Sequence, residues 1–155
     1  MKTLIILAIL AGCVFLISCF TPKANFAEDT PEGIKFNRTC WSETLACAKL
    51  ENKPIFIDIY ASWCGPCRKL KSTTFASKDV GDLFNDSFIN IALDGEKGDG
   101  PGIASQYQVR GYPTLLFLDP KGNIISREVG YQDRKDLLQL GKNALSQFLN
   151  KMETN

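Results

Sequence analysis

The 155-residue chain contains no histidine. That absence excludes a Ser-His-Asp or Cys-His nucleophile system, histidine-ligated zinc or copper, and an imidazole switch near neutral pH. An excess of charge of either sign is missing as well, since 18 basic residues face 17 acidic ones for a net charge of +1. A nucleic-acid or polyanion partner calls for a basic surplus, so none is expected. Internal repeats and low-complexity blocks are also absent. The 45% apolar content suffices to bury a core within one domain of ordinary size.

Long hydrophobic runs are confined to the amino terminus, MKTLIILAILAGCVFLISCF. One charge, Lys2, precedes an apolar stretch with early small residues, which suits a signal peptide better than a membrane span. Residues 1–18 are therefore expected to be a signal peptide and the domain to face an extracytoplasmic space. Leu16-Ile17-Ser18-Cys19 and Leu10-Ala11-Gly12-Cys13 both resemble the bacterial lipobox, in which the cysteine is lipidated and becomes the new amino terminus. Cutting before Cys13 leaves an apolar core of only about seven residues, so Cys19 is preferred and Cys13 is the alternative. An uncleaved anchor, or an ordinary signal with incidental cysteines, is the competing reading. Loss of residues 1–18 removes Lys2 and leaves 17 basic and 17 acidic residues. Residues 19–36 are polar, hold two prolines and lack periodicity, which reads as a tether between a lipid-anchored terminus and a domain over 37–152.

Within that domain the patterning predicts a helix over 42–51, ended by Asn52-Lys53-Pro54, and a doubly buried strand PIFIDIYA over 54–61. A helix over 64–75 kinks or breaks near Phe75 to Ser77 and continues with Val80, Leu83 and Phe84 at helical spacing. A second buried strand covers 88–94, followed by the glycine-rich loop 95–102 and a short helix over 103–107. Strands over 114–119 and 124–130 form a hairpin, and Asp133 caps a last helix whose Leu137, Leu140, Ala144, Leu145, Phe148 and Leu149 make one apolar stripe. The order α, β, α, β, α, β, β, α predicts an α/β fold with a central mixed sheet flanked by helices on both faces. The crossover rule makes its first two strands parallel. Cys64 then falls at the carboxyl end of a central strand and the amino end of a helix, where open α/β sheets place their reaction sites.

The stretch ASWCGPCRKL, residues 61–70, admits three readings: a redox centre, half a metal site, or a tight turn. A cysteine at a helix amino terminus is stabilised as thiolate, and a second one turn along can attack a mixed disulfide formed at the first. Cys64 is thus the expected nucleophile and Cys67 the resolving thiol. Gly65 would allow the turn into the helix, Pro66 fits the first helical turn, and Trp63 would flank the sulfur. No histidine and no second Cys-x-x-Cys knuckle complete a zinc site, so no metal is expected. Asp58 lies within the buried strand, either ion-paired or, if unpaired, with a raised pKa suited to proton transfer. Cys40 and Cys47 would lie about 10 Å apart on one helix, too far for a disulfide. They are expected to be two buried small side chains, or a bridge requiring Cys40 in an extended segment that folds back.

The run Trp63-Cys64-Gly65-Pro66-Cys67 resembles the active-site motif of thioredoxins, and the element order resembles the thioredoxin fold, over about residues 40–150. The resemblance implies that Asp58 is the buried proton acceptor for the resolving cysteine. It also implies that Pro113, in Gly111-Tyr112-Pro113-Thr114, is the cis-proline beside the cysteines. Tyr112, Pro113 and Gly130 would join Trp63, Gly65 and Pro66 in binding substrate. The segment PIFIDIYASWCGPCRKLKSTTFASKDV is similar to exported thioredoxin-like domains such as the carboxyl-terminal domain of thiol:disulfide interchange proteins. A lysine that pairs with the aspartate in thioredoxins is replaced at Asn90, and the 95–106 loop is longer.

The resulting expectation is a protein-disulfide reductase that needs no cofactor. Its partners would be protein disulfides, a membrane-embedded electron donor of the interchange type, and the membrane through its lipid anchor. Dedicated oxidants of the family gain thiolate stability from a histidine between their cysteines, whereas Gly65-Pro66 supplies none, which favours reduction. A net oxidant or isomerase, and a non-catalytic binding module on the same scaffold, are the alternatives.

Overall fold

The computed structural model describes residues 32–154. The expected signal peptide over 1–18 and both lipidation candidates, Cys13 and Cys19, lie outside the described residues. Nine elements follow in the order α1 (Trp41–Glu51), β1 (Ile55–Tyr60), α2 (Gly65–Ser72), α3 (Lys78–Ser87), β2 (Ile89–Asp94), α4 (Gly100–Gln106), β3 (Thr114–Leu118), β4 (Ile124–Val129) and α5 (Arg134–Glu153). The strands form one sheet in the order β2-β1-β3-β4. β1 pairs in parallel with β2, Ile55 opposite Ile89, and antiparallel with β3, Ile55 opposite Leu118. β3 and β4 close the hairpin in antiparallel fashion. The α/β class and the mixed sheet read from the sequence are what the chain adopts.

Side chains alternate across a strand, so β1 divides its residues between two layers. Ile55, Ile57 and Ile59 join Ile89, Ile91, Leu116 and Leu118 under α1 and α4, where Ala48, Ile103 and Tyr107 cover them. Phe56 points the other way, with Leu115 and Phe117, into a layer built by Leu70 of α2, Phe75, Val80 and Phe84 of α3, and Leu137 and Ala144 of α5. Phe56 and Phe84 meet edge-on at 4.7 Å between ring centroids. Asp58 therefore shares its face with α2 and not with α1, which places its carboxyl on the side of the cysteines. Asp133 caps α5 by accepting from the Asp136 amide at 2.9 Å.

The helix expected over 64–75 stops earlier, at Ser72. The Ser72 and Thr73 hydroxyls both donate to the Lys69 carbonyl, competing with the backbone for the last acceptors of α2. Phe75 is drawn off the helix line into the core, where its ring meets those of Phe56 and Phe36. The chain restarts as α3 from Ser77, so one kinked helix becomes two and the order gains an element.

The tether expected over 19–36 also needs correction at its carboxyl end. Ile34 is 3% exposed and part of the core, and Phe36 packs against it. Residues 32–38 run as a strap along the outer edge of the sheet. Asn37 makes a parallel bridge with Ile91 and donates to the Asn90 carbonyl at 2.8 Å. The Ile34 amide donates to the Phe75 carbonyl, and the Lys35 amide to the Asn85 side chain. An otherwise open edge is thereby covered.

Among the described residues no helix is long and apolar enough to cross a membrane. Cys40 is exposed, free, and within 3.1 Å of the Ser42 hydroxyl, while Cys47 is half-buried. Neither the buried pair nor a bridge between Cys40 and Cys47 holds, because Cys40 precedes α1 on the surface instead of packing beneath it.

Gly81 of α3 tests the strap. A Cβ there would lie 2.2 Å from the Glu32 carbonyl oxygen and 2.7 Å from the Gly33 carbonyl carbon. Helix propensity alone would make Gly81→Ala stabilising by about 1 kcal/mol. Displacement of the strap should reverse the sign and cost about 1–3 kcal/mol, with faster proteolysis ahead of Ile34. Urea unfolding that showed the alanine variant to be more stable would contradict the packing.

Candidate active site

β1 ends at Tyr60, and Ala61 turns the chain so that the Cys64 amide donates to its carbonyl at 3.0 Å. Cys64 is the residue that caps α2: its sulfur accepts from the Cys67 amide at 3.1 Å. Pro66 lies in the first turn, where no intrahelical partner is lost. Cys64 and Cys67 are joined in a disulfide, with Cα atoms 5.3 Å apart, and they are 3% and 6% exposed. A Cβ on Gly65 would meet nothing within 4 Å, so the turn into α2 does not require glycine there. Its effect is to leave the approach to the sulfurs open.

Four further residues come together in front of the disulfide. Tyr112 packs against Ala61, Cys64 and Cys67, and the Tyr112–Pro113 peptide bond is cis. Gly130 reaches the same place from the end of β4 by donating its amide to the Pro113 carbonyl at 2.8 Å. Its φ of 97° lies in the region that favours glycine. Trp63 is 66% exposed, with its ring 6.0 Å from that of Tyr112. Its indole N–H donates to both Glu96 carboxylate oxygens at 3.1 Å. Glu96 escaped the sequence reading because it sits in a loop notable there only for its glycines. One of these, Gly95, packs directly beneath the Tyr112 ring.

Behind the disulfide lies a cavity of about 530 Å³, lined by Asp58, Cys67, Arg68 and Lys71, and bordered by Arg38 and Phe36 of the strap. Asp58 is 6% exposed, and its Oδ1 accepts no hydrogen bond from the described residues. Burial pushes its pKa from 3.8 up to about 7, against the opposing pull of the Lys71 ammonium. Asn90, at the position where the resemblance puts a lysine, is buried and gives its amide to the Phe84 carbonyl at 3.1 Å. Lys71 was detectable in principle, four residues after Cys67 and so on the same helical face.

A buried carboxyl raised to near neutrality behind a disulfide whose first sulfur caps a helix amino terminus is the arrangement of a thiol–disulfide oxidoreductase. A model of the thioredoxin-like domain matches residues 41–145, and the chain belongs to that family. It is 30% identical over 95 residues to the thiol:disulfide interchange protein DsbD of Yersinia pestis, an alignment covering 59% of this chain and 16% of that protein. The aligned part thus spans about a sixth of the interchange protein's length. A thioredoxin-like protein of Synechocystis is 34% identical over 87 residues, 56% of this chain and 77% of the relative. Among solved structures, one given as a candidate disulphide-isomerase from Bacteroides thetaiotaomicron is 38% identical. It superposes with a TM-score of 0.66, covering 74% of this chain and 94% of that one.

The raised pKa of Asp58 has a consequence for stability. Between 3.8 and about 7 the folded protein holds a proton that the unfolded chain has released, so stability falls as pH rises through that window. At about 1.4 kcal/mol per unit, oxidised wild type should lose about 2–4 kcal/mol relative to Asp58→Asn between pH 4 and pH 8.5. Parallel pH profiles of the two proteins in denaturant titrations would remove the case for an uncompensated buried carboxyl.

Proposed function

We propose that the chain is an extracytoplasmic protein-disulfide reductase, held at a bacterial membrane through a lipid on Cys19, or alternatively Cys13. The observation that carries this reading is the Cys64–Cys67 disulfide at the start of α2 with Asp58 buried behind it. In the dithiol form, the Cys64 thiolate attacks one sulfur of a substrate disulfide. One substrate sulfur leaves as thiolate and a mixed disulfide forms. Cys67 then gives its proton to the Asp58 carboxylate and attacks Cys64. The Cys64–Cys67 bond re-forms and the second substrate sulfur is released. The substrate gains two electrons, the protein loses two, and a membrane-embedded dithiol donor of the interchange type restores them. Trp63, Gly65, Pro66, Tyr112, Pro113 and Gly130 are the surface on which the substrate chain would lie.

The reductive direction rests on what stabilises the thiolate. Gly65-Pro66 adds no charge or donor beyond the helix amino terminus, and the Glu96 carboxylate on the Trp63 side opposes negative charge at Cys64. Both disfavour the reduced form, which makes the dithiol a stronger electron donor. The signal-like amino terminus and the likeness to interchange proteins support an exported location. Isomerisation is the second reading, favoured by the relative given as a candidate disulphide-isomerase.

Wild type is expected to reduce insulin disulfides and Cys64→Ser to be inactive, with a reduction potential near about −270 mV. A potential near about −120 mV, the range of dedicated oxidants, would overturn the reductive assignment. Equal activity of wild type and Cys64→Ser would leave only a binding module. Cys67→Ser should accumulate mixed disulfides with its substrates, retrievable from the cell envelope and identifiable by mass.

A further inference from the structure

The cavity behind Cys67 is larger than a carboxyl group needs, and its charges are one-sided. Asp58 shares its lining with Cys67, Arg68 and Lys71 of α2, Tyr60 of its own strand, and Arg38 of the strap. Asp94, which acts on Tyr60 but does not line the cavity, forms an ion pair with Lys97. Among the described residues the cavity is thus lined by three cations, a phenol and one sulfur of the disulfide, with Asp58 its one carboxyl. Asp58 Oδ1 has no protein donor among the described residues, and Asp58 lines the cavity through which water can approach it. The lysine that the resemblance leads one to seek on β2 is absent, and Asn90 in its place is turned toward α3.

We propose that Lys71 is a positioning residue for the resolving step. It acts across this cavity to keep the Asp58 carboxylate available as the base for Cys67, and the cavity carries the abstracted proton to solvent. The proposal rests on the oxidoreductase reading and adds to it the group that tunes the base. Lys71 is one helical turn past Cys67, so its stem follows the same face of α2 while its ammonium stays at the solvent end. An ammonium placed there favours the charged form of Asp58 without the desolvation that a buried ion pair would cost. The direction agrees with the effect of Lys71 on Asp58, which opposes that of burial.

The chemistry balances without any other reagent. In the mixed disulfide, the Cys67 S–H proton passes to the Asp58 carboxylate and the resulting thiolate attacks Cys64 Sγ. The substrate sulfur departs as thiolate and is protonated by water, and Asp58 returns its proton to the cavity. Neutralising Lys71 leaves Asp58 protonated to higher pH, so fewer molecules hold the base at pH 7 and the resolving step slows.

Two measurements on full-length oxidised and reduced protein test this. The first is the titration of the Asp58 carboxyl carbon by NMR in the oxidised state, which reads the coupling without any turnover. The second is the pH profile of single-turnover oxidation by a small aromatic disulfide, followed by tryptophan fluorescence. In Lys71→Met the Asp58 midpoint should rise by about half to one pH unit, and the rate at pH 7 should fall about three- to tenfold. Lys71→Arg should restore both. An unmoved Asp58 midpoint overturns the proposal, as does a shifted midpoint with an unshifted rate profile, or failure of arginine to rescue. Failure of wild type to reduce insulin would instead overturn the oxidoreductase reading, and the Asp58 midpoint would still decide whether Lys71 tunes that carboxyl.

Discussion

A carboxyl group with no hydrogen-bond donor among the described residues on one oxygen, set on an interior strand of the sheet, is the constraint around which the site is organised. Asp58 sits between strands on either side, opposite Ala92 of β2 and Leu115 of β3. An ionised carboxylate there is costly, and the structure offers it a cavity and a distant ammonium in place of a direct partner. The cost appears as a pKa displaced to about 7. A group that titrates near neutrality can both accept and return a proton, which a well-paired aspartate cannot do. What weakens the strand as a structural element is therefore what suits it to proton transfer in the proposed reaction.

The architecture that imposes this position was legible in the sequence because it depends on period and length. PIFIDIYA and TLLFLD have the apolar density of strands buried on both faces, and the apolar stripe of α5 has helical spacing. Parallel β1 and β2 follow from chain order and crossover handedness. The motif at 63–67 was legible for a different reason, since a strand end, a helix start and two cysteines one turn apart specify a geometry by themselves. Asp58 stood out as the single charge in an apolar run. Tyr112, Pro113 and Gly130 could be found only through likeness to a family, because nothing local distinguishes them from residues of ordinary turns.

What escaped the sequence reading was decided by contacts between distant segments. The strap is polar and proline-bearing upstream, and its two apolar anchors, Ile34 and Phe36, are too few to create a period. The open edge of β2 and the closeness permitted by Gly81 are what let those two anchors dock. The early end of α2 reflects hydroxyl side chains competing for one carbonyl and a phenylalanine that gains more from the core than from continuing the helix. Lys71 and Glu96 belong to classes of residue that are usually solvated, so charge alone gave no signal. Their significance comes from position, one behind the disulfide and one in front.

That opposition of position gives the two sulfurs different surroundings. Cys64 faces the aromatic surface of Trp63 and Tyr112, with the amino terminus of α2 as its source of positive potential. Glu96 stands on that side, engaged by the Trp63 indole. Cys67 faces the interior, where the carboxyl, the cavity and the cations of α2 and the strap are gathered. A base in front would compete with substrate for space, and a cation in front would stabilise the Cys64 thiolate and weaken the dithiol as an electron donor. Keeping base and cations behind the disulfide lets the resolving thiol be activated without strengthening the nucleophile as a leaving group. In the proposed reaction that separation allows one short motif, neutral between its cysteines, to complete the exchange in the direction of substrate reduction.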